Sequence, residues 1–372
     1  DLVWNDHYQS RIDNTNFFSV QSDIAASVSD SLKVVILAKE QSALAQLPTS
    51  DLAAYELYVA GQKQLNMLTY DSVKYSVTLF SEAIALDPQF EAAYVAKADA
   101  FRIIMTYFEK PAAVLPNVVE SVLGALAIRP DSAQALSSLG VAYVLAWRWQ
   151  DAWNMLNAAR KEDATLALTE VGFAIYYSGI GDVTGVYTSL EKANQLDPLN
   201  IELADWGHWA LVMVGENDAA IQWAKKQIRL HPDVAMIYSG ASVSASLAGD
   251  HKRAIALAEK GVLIDSGSAY SLLALAQTYG HAGQLHEIPP LLSKAEKINS
   301  YLCPYETAIT YLLLNQPDKA FELFNDAVTY RSNCLVFTRN DPRLKHIKSD
   351  PRFSALLTRI GLDNDSVSQY PR

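Results

Sequence analysis

Glycines recur along this chain at one fixed interval. From Gly215, a step of 34 residues reaches Gly181 in one direction and Gly249, then Gly283, in the other. A second ruler runs through Pro130 (IRPDS), Pro198 (LDPLN) and Pro232 (LHPDV), passing Ala164 (EDATL) between the first two and continuing to Ser266 (IDSGS) and Ser300 (INSYL). The residues just before these marks are Arg129, Asp163, Asp197, His231, Asp265 and Asn299, mostly small and polar. An earlier LDPQF places Pro88 42 residues before Pro130, so that unit carries about eight additional residues, assigned to FEKPAAVLPN (108–117). Two rulers in register imply one supersecondary unit repeated in series, each unit burying its apolar face only against its neighbours.

Within a unit, helical periodicity occurs twice. After Pro130, Leu136, Leu139, Gly140 and Tyr143 fall at i, i+3, i+4 and i+7, and Ala152, Leu156 and Ala159 share a face of the segment that follows. Proline disfavours helical geometry in the residue before it, so the Asp-Pro step ends one helix. The glycine supplies the turn between the two helices. No hairpin of alternating apolar runs is present.

This 34-residue pattern resembles the tetratricopeptide repeat, most closely over 133–166. The resemblance implies an all-α, right-handed superhelical α-solenoid of about eight units over 52–332, with helical caps. Unit 201–234 has Gly207 but carries His208 in the small-residue slot, which is expected to loosen its helix pair. Pro289 and Pro290 must fall in the first turn of a helix. Unit 301–332 fits two residues out of phase, through Pro304, Ala308, Tyr311, Ala320, Phe324 and Ala327. In the tryptophan group WRWQDAW, Trp147 occupies a turn-glycine position, and packing is the expected role of Trp147, Trp149 and Trp153.

A solenoid needs covered ends. Residues 17–51 are assigned to a capping and linker helix, with Val20, Ile24, Val28, Leu32 and Val35 on one face. Residues 333–372 are assigned to a C-terminal cap and tail, in which Asp350 caps a helix opened by Pro351 and Phe353, Leu356, Leu357 and Ile360 pack back. The succession VWNDHY, FFSVQSDIAASVSDSL, AYELYVAG, the repeats and a closing DPRF…LLTRIGL resembles a bacterial signalling architecture. In it, a tetratricopeptide region follows an α/β module and an effector: a class III adenylate or guanylate cyclase, a winged-helix regulator or a Ser/Thr kinase. That resemblance makes residues 1–16 the tail of the α/β module, and the start without Met gives the expectation that the chain is part of a longer protein. No catalytic or DNA-reading motif of these effectors occurs in the 372 residues.

Charge narrows the partners. A formal net charge of −11 disfavours nucleic acid and anionic membrane surfaces, and no apolar run approaches the roughly 20 residues of a membrane span. The compartment stays open between cytoplasm and periplasm. Two cysteines, Cys303 and Cys334, fall in one helical hairpin, with free thiols expected and a single bridge as the alternative.

Local motifs yield to the ruler. GIGDVTG (179–185) has no strand before it, and Gly181 is a turn glycine. His281 and His286 lack metal-ligand spacing, so neither metal nor cofactor is expected. The tetratricopeptide resemblance implies that the first helix of each unit lines a concave groove, with Asp99, Arg102, Asp205, Trp209, Met213, Tyr270, Gln277 and Tyr305 among the residues projected onto it. Arg102 is the one base in that set, and the apolar centre suits an amphipathic helix from a protein or peptide, or the chain's own helix 17–36. The reading is a non-enzymatic interaction and regulatory module. The alternatives are a small-ligand or enzyme site using Glu202, Asp205, His208 and Trp209, and a homodimerisation arm.

Overall fold

The computed structural model describes residues 48–298 and 301–372, together with helical Ile24 and Ser27. The tail at 1–16 and the helix assigned to 17–36, those two residues apart, lie outside the described residues. Every regular element among the described residues is helical, and the chain divides into two compact units, residues 1–97 and 98–372.

The first unit contains α1 (Leu52–Leu65), α2 (Tyr70–Leu86) and the opening turns of α3 (Glu91–Tyr107), within which the division falls. Asp51 accepts the Ala54 amide and Thr69 the Ser72 amide, supplying the side-chain oxygens that unpaired helix N-termini need. Ala54, Ala83, Phe90 and Ala93 are buried together, with Tyr58 half-buried against them. The ring of Tyr58 lies 5.1 Å from that of Phe90.

In the second unit, α3 is followed by α4 (Pro111–Ile128), and six further helix pairs succeed it. They are α5 (Ala133–Leu145) with α6 (Trp149–Glu162), α7 (Ala167–Ile180) with α8 (Val183–Leu196), and α9 (Ile201–Met213) with α10 (Asn217–Leu230). Next come α11 (Ala235–Leu247) with α12 (His251–Ile264), α13 (Ala269–His281) with α14 (Ile288–Ile298), and α15 (Pro304–Leu313) with α16 (Pro317–Thr329). Two 3₁₀ segments, Asn333–Phe337 and Pro342–Ile347, lead to α17 (Pro351–Arg359) and α18 (Asn364–Ser368). This is an all-α solenoid. Its first helices α5, α7, α9 and α11 are buried on nearly every side, while α6, α8, α10 and α12 bury a single stripe. A helix apolar all round belongs inside and an amphipathic one outside, so the sequence pattern sorts the helices into layers.

The glycine ruler is a ruler of backbone handedness. Gly181, Gly215, Gly249 and Gly283 have φ between +77° and +85°, and Trp147, one step earlier, has φ +59°. Asn315, two residues short of the next step, has φ +58°. Each closes a Schellman turn: the next residue's amide reaches back to the last helical turn, as in Glu216 N to Leu211 O and Arg148 N to Tyr143 O. Where the residue before the mark is aspartate, that residue shapes the turn. The Oδ1 atoms of Asp87, Asp163, Asp197 and Asp265 each accept the amide two residues on. That Asx turn holds whether Pro or Ala164 follows, because the carboxylate shapes the turn itself.

Other departures from the repeat are absorbed locally. Pro289 and Pro290 sit in the first turn of α14. His208 turns towards the next unit, its Nε2 3.1 Å from Ser244 Oγ, and lies against Gly240, where an added Cβ would approach Nδ1 to 3.0 Å. Helix α4, 18 residues with mean hydropathy 1.6, is long and apolar enough to cross a membrane, which the sequence reading did not anticipate. A third of it is buried (33%), through Pro111, Val114, Val118, Ser121, Val122 and Ala125.

Gly215→Ala adds a Cβ that meets nothing within 4 Å, so only the left-handed backbone resists it. It is expected to cost about 1 kcal/mol. Gly140→Ala places a Cβ 2.7 Å from buried Leu156 and 3.2 Å from its amide nitrogen. Such overpacking costs about 1–3 kcal/mol. Urea unfolding of both variants, with unchanged m-values, checks the two mechanisms separately.

Candidate functional site

The interior of the second unit is joined by side chains far apart in sequence. Arg102 on α3 is buried and donates through Nη2 to Asp99 Oδ1 at 3.1 Å and to Glu202 Oε1 on α9 at 2.9 Å, with a further bond from Nη1 to Glu202 Oε2. Ser138 on α5 donates to Asp99 at 2.8 Å. One turn along α3, the Tyr107 hydroxyl donates to Asp205 Oδ2 at 3.0 Å.

A second guanidinium is buried to the same degree. Arg343, in the second 3₁₀ segment, grips Glu306 of α15 with both terminal nitrogens at 2.8 and 3.1 Å and Asp341 through Nη2 at 2.7 Å. It also donates to Gln277 Oε1 at 3.1 Å and stacks over Trp209, 5.1 Å from the ring centroid. The Tyr305 hydroxyl donates to Asp341 at 2.8 Å, and Gln277 donates to Glu306 Oε2 at 2.9 Å.

Residues 333–372 lie back on the early repeats of this unit. Asn340 donates to the carbonyls of Ser178 and Gly179 at the end of α7, Trp149 donates to Ile360 O at 2.9 Å, and Tyr176 donates to Pro371 O at 3.2 Å. Trp147 donates to Ser332 O at 3.1 Å. Trp147 and Trp149 therefore anchor the returning chain, while Trp153 packs on Phe173 and Tyr176. Asp350 caps α17 at Pro351, and Phe353, Leu356 and Ile360 are buried beneath it.

Seven of the eight residues projected onto a groove fall into three groups. Asp99 and Arg102 belong to one ion cluster; Trp209, Gln277 and Tyr305 surround Arg343; Asp205 and Tyr270 line a cavity together with one face of Trp209. Met213 is buried without a polar role. Six of the eight are buried, and only Asp99 and Tyr270 keep partial exposure. The sequence reading expected an accessible surface; instead Asp99, Arg102 and Asp205 are bonded within α3, α5 and α9, and Trp209, Gln277 and Tyr305 meet the returning C-terminal segment. It also missed Arg343, Asp341, Glu306 and Tyr107. The available signal was NDPRL (340–344), where Asp-Pro-Arg falls after the ruler has ended.

The cavity measures about 70 Å³ and is walled by Tyr107, Asp205, Trp206, Trp209, Tyr270 and Phe337, among others. Cys303 and Cys334 also line it as free thiols, with Sγ atoms 3.5 Å apart. Burial, opposed by the Tyr107 hydrogen bond and aided by the charge of Glu202, pushes the Asp205 carboxyl up to about 7. Burial alone pushes the His208 imidazole down to about 3, so it stays neutral. Among the described residues no group of three His, Cys, Asp or Glu could hold a metal ion.

No family model and no curated protein matches the chain. Among solved structures it is similar to a tetratricopeptide repeat protein from Parabacteroides merdae, at 13% identity over 73% of this chain and 99% of that one, with a TM-score of 0.47. It is similar to PilW, a type IV pilus biogenesis factor, at 16% identity over 53% of this chain and 92% of that one (TM-score 0.41). YrrB, a tetratricopeptide protein with an unusual peptide-binding site, is 17% identical over 52% of this chain and 96% of its own (TM-score 0.34).

Arg343→Met leaves Asp341 and Glu306 buried without their cation and is expected to cost about 3–5 kcal/mol in urea unfolding. Asp205 gives a pH-dependent test. Its folded-state pKa lies above the unfolded value of 3.8, so its contribution to stability is full below about pH 4 and lost as pH rises to about 7. The difference in stability between wild type and Asp205→Asn is expected to move in favour of the variant by on the order of 4 kcal/mol across that window, measured by urea titrations at successive pH values.

Proposed function

We propose that this chain is a non-catalytic protein-interaction module that docks an acidic amphipathic helix of a partner protein along α4. The observation that carries this reading is an apolar stripe on α4 facing solvent, in a unit whose inner side chains are already bonded to one another. Leu115, Val119 and Leu123 follow at i, i+4 and i+8, with Leu123 58% exposed. With Pro116 they border a groove of about 500 Å³ that also meets Arg148, Arg331 and Glu120, Arg148 being paired with Asp151. An apolar groove whose rim carries two guanidinium groups against one carboxylate complements a helix that is apolar on one face and acidic at its edge.

The finer reading is that the module senses or scaffolds for a bacterial signal-transduction protein, with a cyclase-type effector in the same polypeptide. Its support is the resemblance carried by VWNDHY, FFSVQSDIAASVSDSL, AYELYVAG and DPRF…LLTRIGL. On that reading, occupancy of α4 is the signal, and the array transmits it along its stacked helices.

Fluorescence anisotropy with a labelled acidic amphipathic peptide of about 16 residues, against a charge-reversed control, tests the docking face. The acidic peptide is expected to bind the wild type, and Val119→Glu with Leu123→Glu to weaken it at least tenfold without altering the melting temperature. Equal binding of both peptides sinks the proposal. Concentration-dependent self-association lost in the same variant assigns the stripe to a second copy of the chain, and partition onto neutral vesicles assigns it to a bilayer.

A further inference from the structure

Independently of the docking face on α4, we propose that the interior cavity lined by Asp205 is a binding site for a small organic ammonium ion. Three observations lead there. The first is charge. Five carboxylates gather around this interior, and four of them are held by a guanidinium: Asp99 and Glu202 by Arg102, Glu306 and Asp341 by Arg343. The fifth, Asp205, is buried with hydrogen bonds from Tyr107 and Trp209 and has no cation beside it among the described residues. An anionic ligand would add to this excess of negative charge; a cation would relieve it.

The second observation is the wall. Tyr107, Trp206, Trp209, Tyr270, Tyr301 and Phe337 surround the cavity, and aromatic faces attract alkylated ammonium ions through their quadrupoles. A hard metal ion favours several charged oxygen ligands, whereas the carboxylates of this wall are Asp205 and a Glu306 already committed to Arg343. The third is size. A water molecule needs roughly 10–15 Å³ of such space, so about 70 Å³ suits a ligand of about five heavy atoms. Partial exposure of Tyr270, Cys303 and Cys334 marks the side from which it would enter.

Several ionisable groups face Asp205 or share its cavity. Tyr107 comes from α3, Glu202 from its own helix, Tyr270 from α13 and Glu306 from α15; Tyr301 and Cys303 precede α15, Cys334 lies in the first 3₁₀ segment, and Arg343 lies behind Trp209. Asp205 is the carboxyl that burial raises to about 7, while the hydrogen bond from Cys334 lowers the Cys303 thiol, and Asp205→Asn separates the two titrations. Cation binding must therefore draw a proton from Asp205 below pH 7, and affinity should fall about tenfold per pH unit on the acid side.

The experiment is isothermal calorimetry and tryptophan fluorescence on the whole chain. Tetramethylammonium chloride is titrated against sodium chloride of equal ionic strength and against tert-butanol, a neutral molecule of similar shape. The proposal expects saturable binding of tetramethylammonium alone, tightening from pH 5 to 7 and level above. Asp205→Asn should weaken it at least tenfold and abolish the pH slope. Should that variant fail to fold, the slope in the wild type remains decisive. Choline and a trimethyllysine peptide then separate a free cation from a protein side chain as the source, by whichever binds more tightly. Tetramethylammonium no better than sodium, tert-butanol equally effective, or binding that ignores pH would each overturn the assignment.

Discussion

Arg343 is the point on which the interior of the second unit converges. Its guanidinium is almost wholly buried, yet it meets two carboxylates, an amide oxygen and an indole face, so little of its hydrogen-bonding capacity is wasted. Burying a charge is tolerable only when the partners are placed this well. Those partners come from α9, α13, α15 and the residue that caps the 3₁₀ segment carrying Arg343 itself. The returning chain therefore engages the late repeats by an ion cluster, while Asn340, Trp147 and Trp149 tie the same stretch to the early ones.

That closure changes what the array can offer. In a linear solenoid each unit touches only its neighbours, and one face of the first helices is left for a guest. Here Arg102 reaches Glu202 across 100 residues of sequence and Tyr107 reaches Asp205 across 98. An interior in which such distant helices meet has no room for a guest helix unless those contacts open. Accessible features among the described residues include a small cavity inside and the flank of α4 outside.

The division between what sequence reveals and what it hides follows the same line. The repeat was legible because its marks obey local rules: a left-handed turn every 34 residues, an aspartate folding its own turn, two helices between. Trp147 shows that the rule concerns backbone shape more than residue type, since an indole holds the left-handed position and returns its cost through packing and a hydrogen bond to Ser332. Even the out-of-phase unit was readable, and Asn315 turns two residues early as the shifted pattern required. Closure was not readable, because periodicity encodes contacts between neighbours and is silent about residues 100 apart. Asp99, Arg102, Asp205 and Trp209 were projected onto an accessible groove, and their burial follows from partners the repeat does not encode: Glu202 for Arg102, Tyr107 for Asp205 and Arg343 for Trp209. Arg343 and its carboxylates Glu306 and Asp341 come from beyond the ruler or from a unit out of phase with it.

Buried polar groups in a helical array demand an explanation, because apolar residues of similar volume would pack the same space at no electrostatic cost. The two arginine clusters have one: each joins elements that helix-pair packing alone leaves independent, and each is closed by matched hydrogen bonds. Asp205 does not fit that account. It ties α9 to α3 through a single hydroxyl, a task that asparagine could perform, and as a carboxylate it costs stability near neutral pH. A group that costs stability without a structural return has the character of a functional one, since sites are where folds tolerate such costs. The aromatic wall sharpens the point, because tyrosine and tryptophan around an otherwise idle void could be replaced by aliphatic packing with a gain in density. Keeping both the charge and the void between two closed arginine clusters holds their surroundings in place through matched ion pairs.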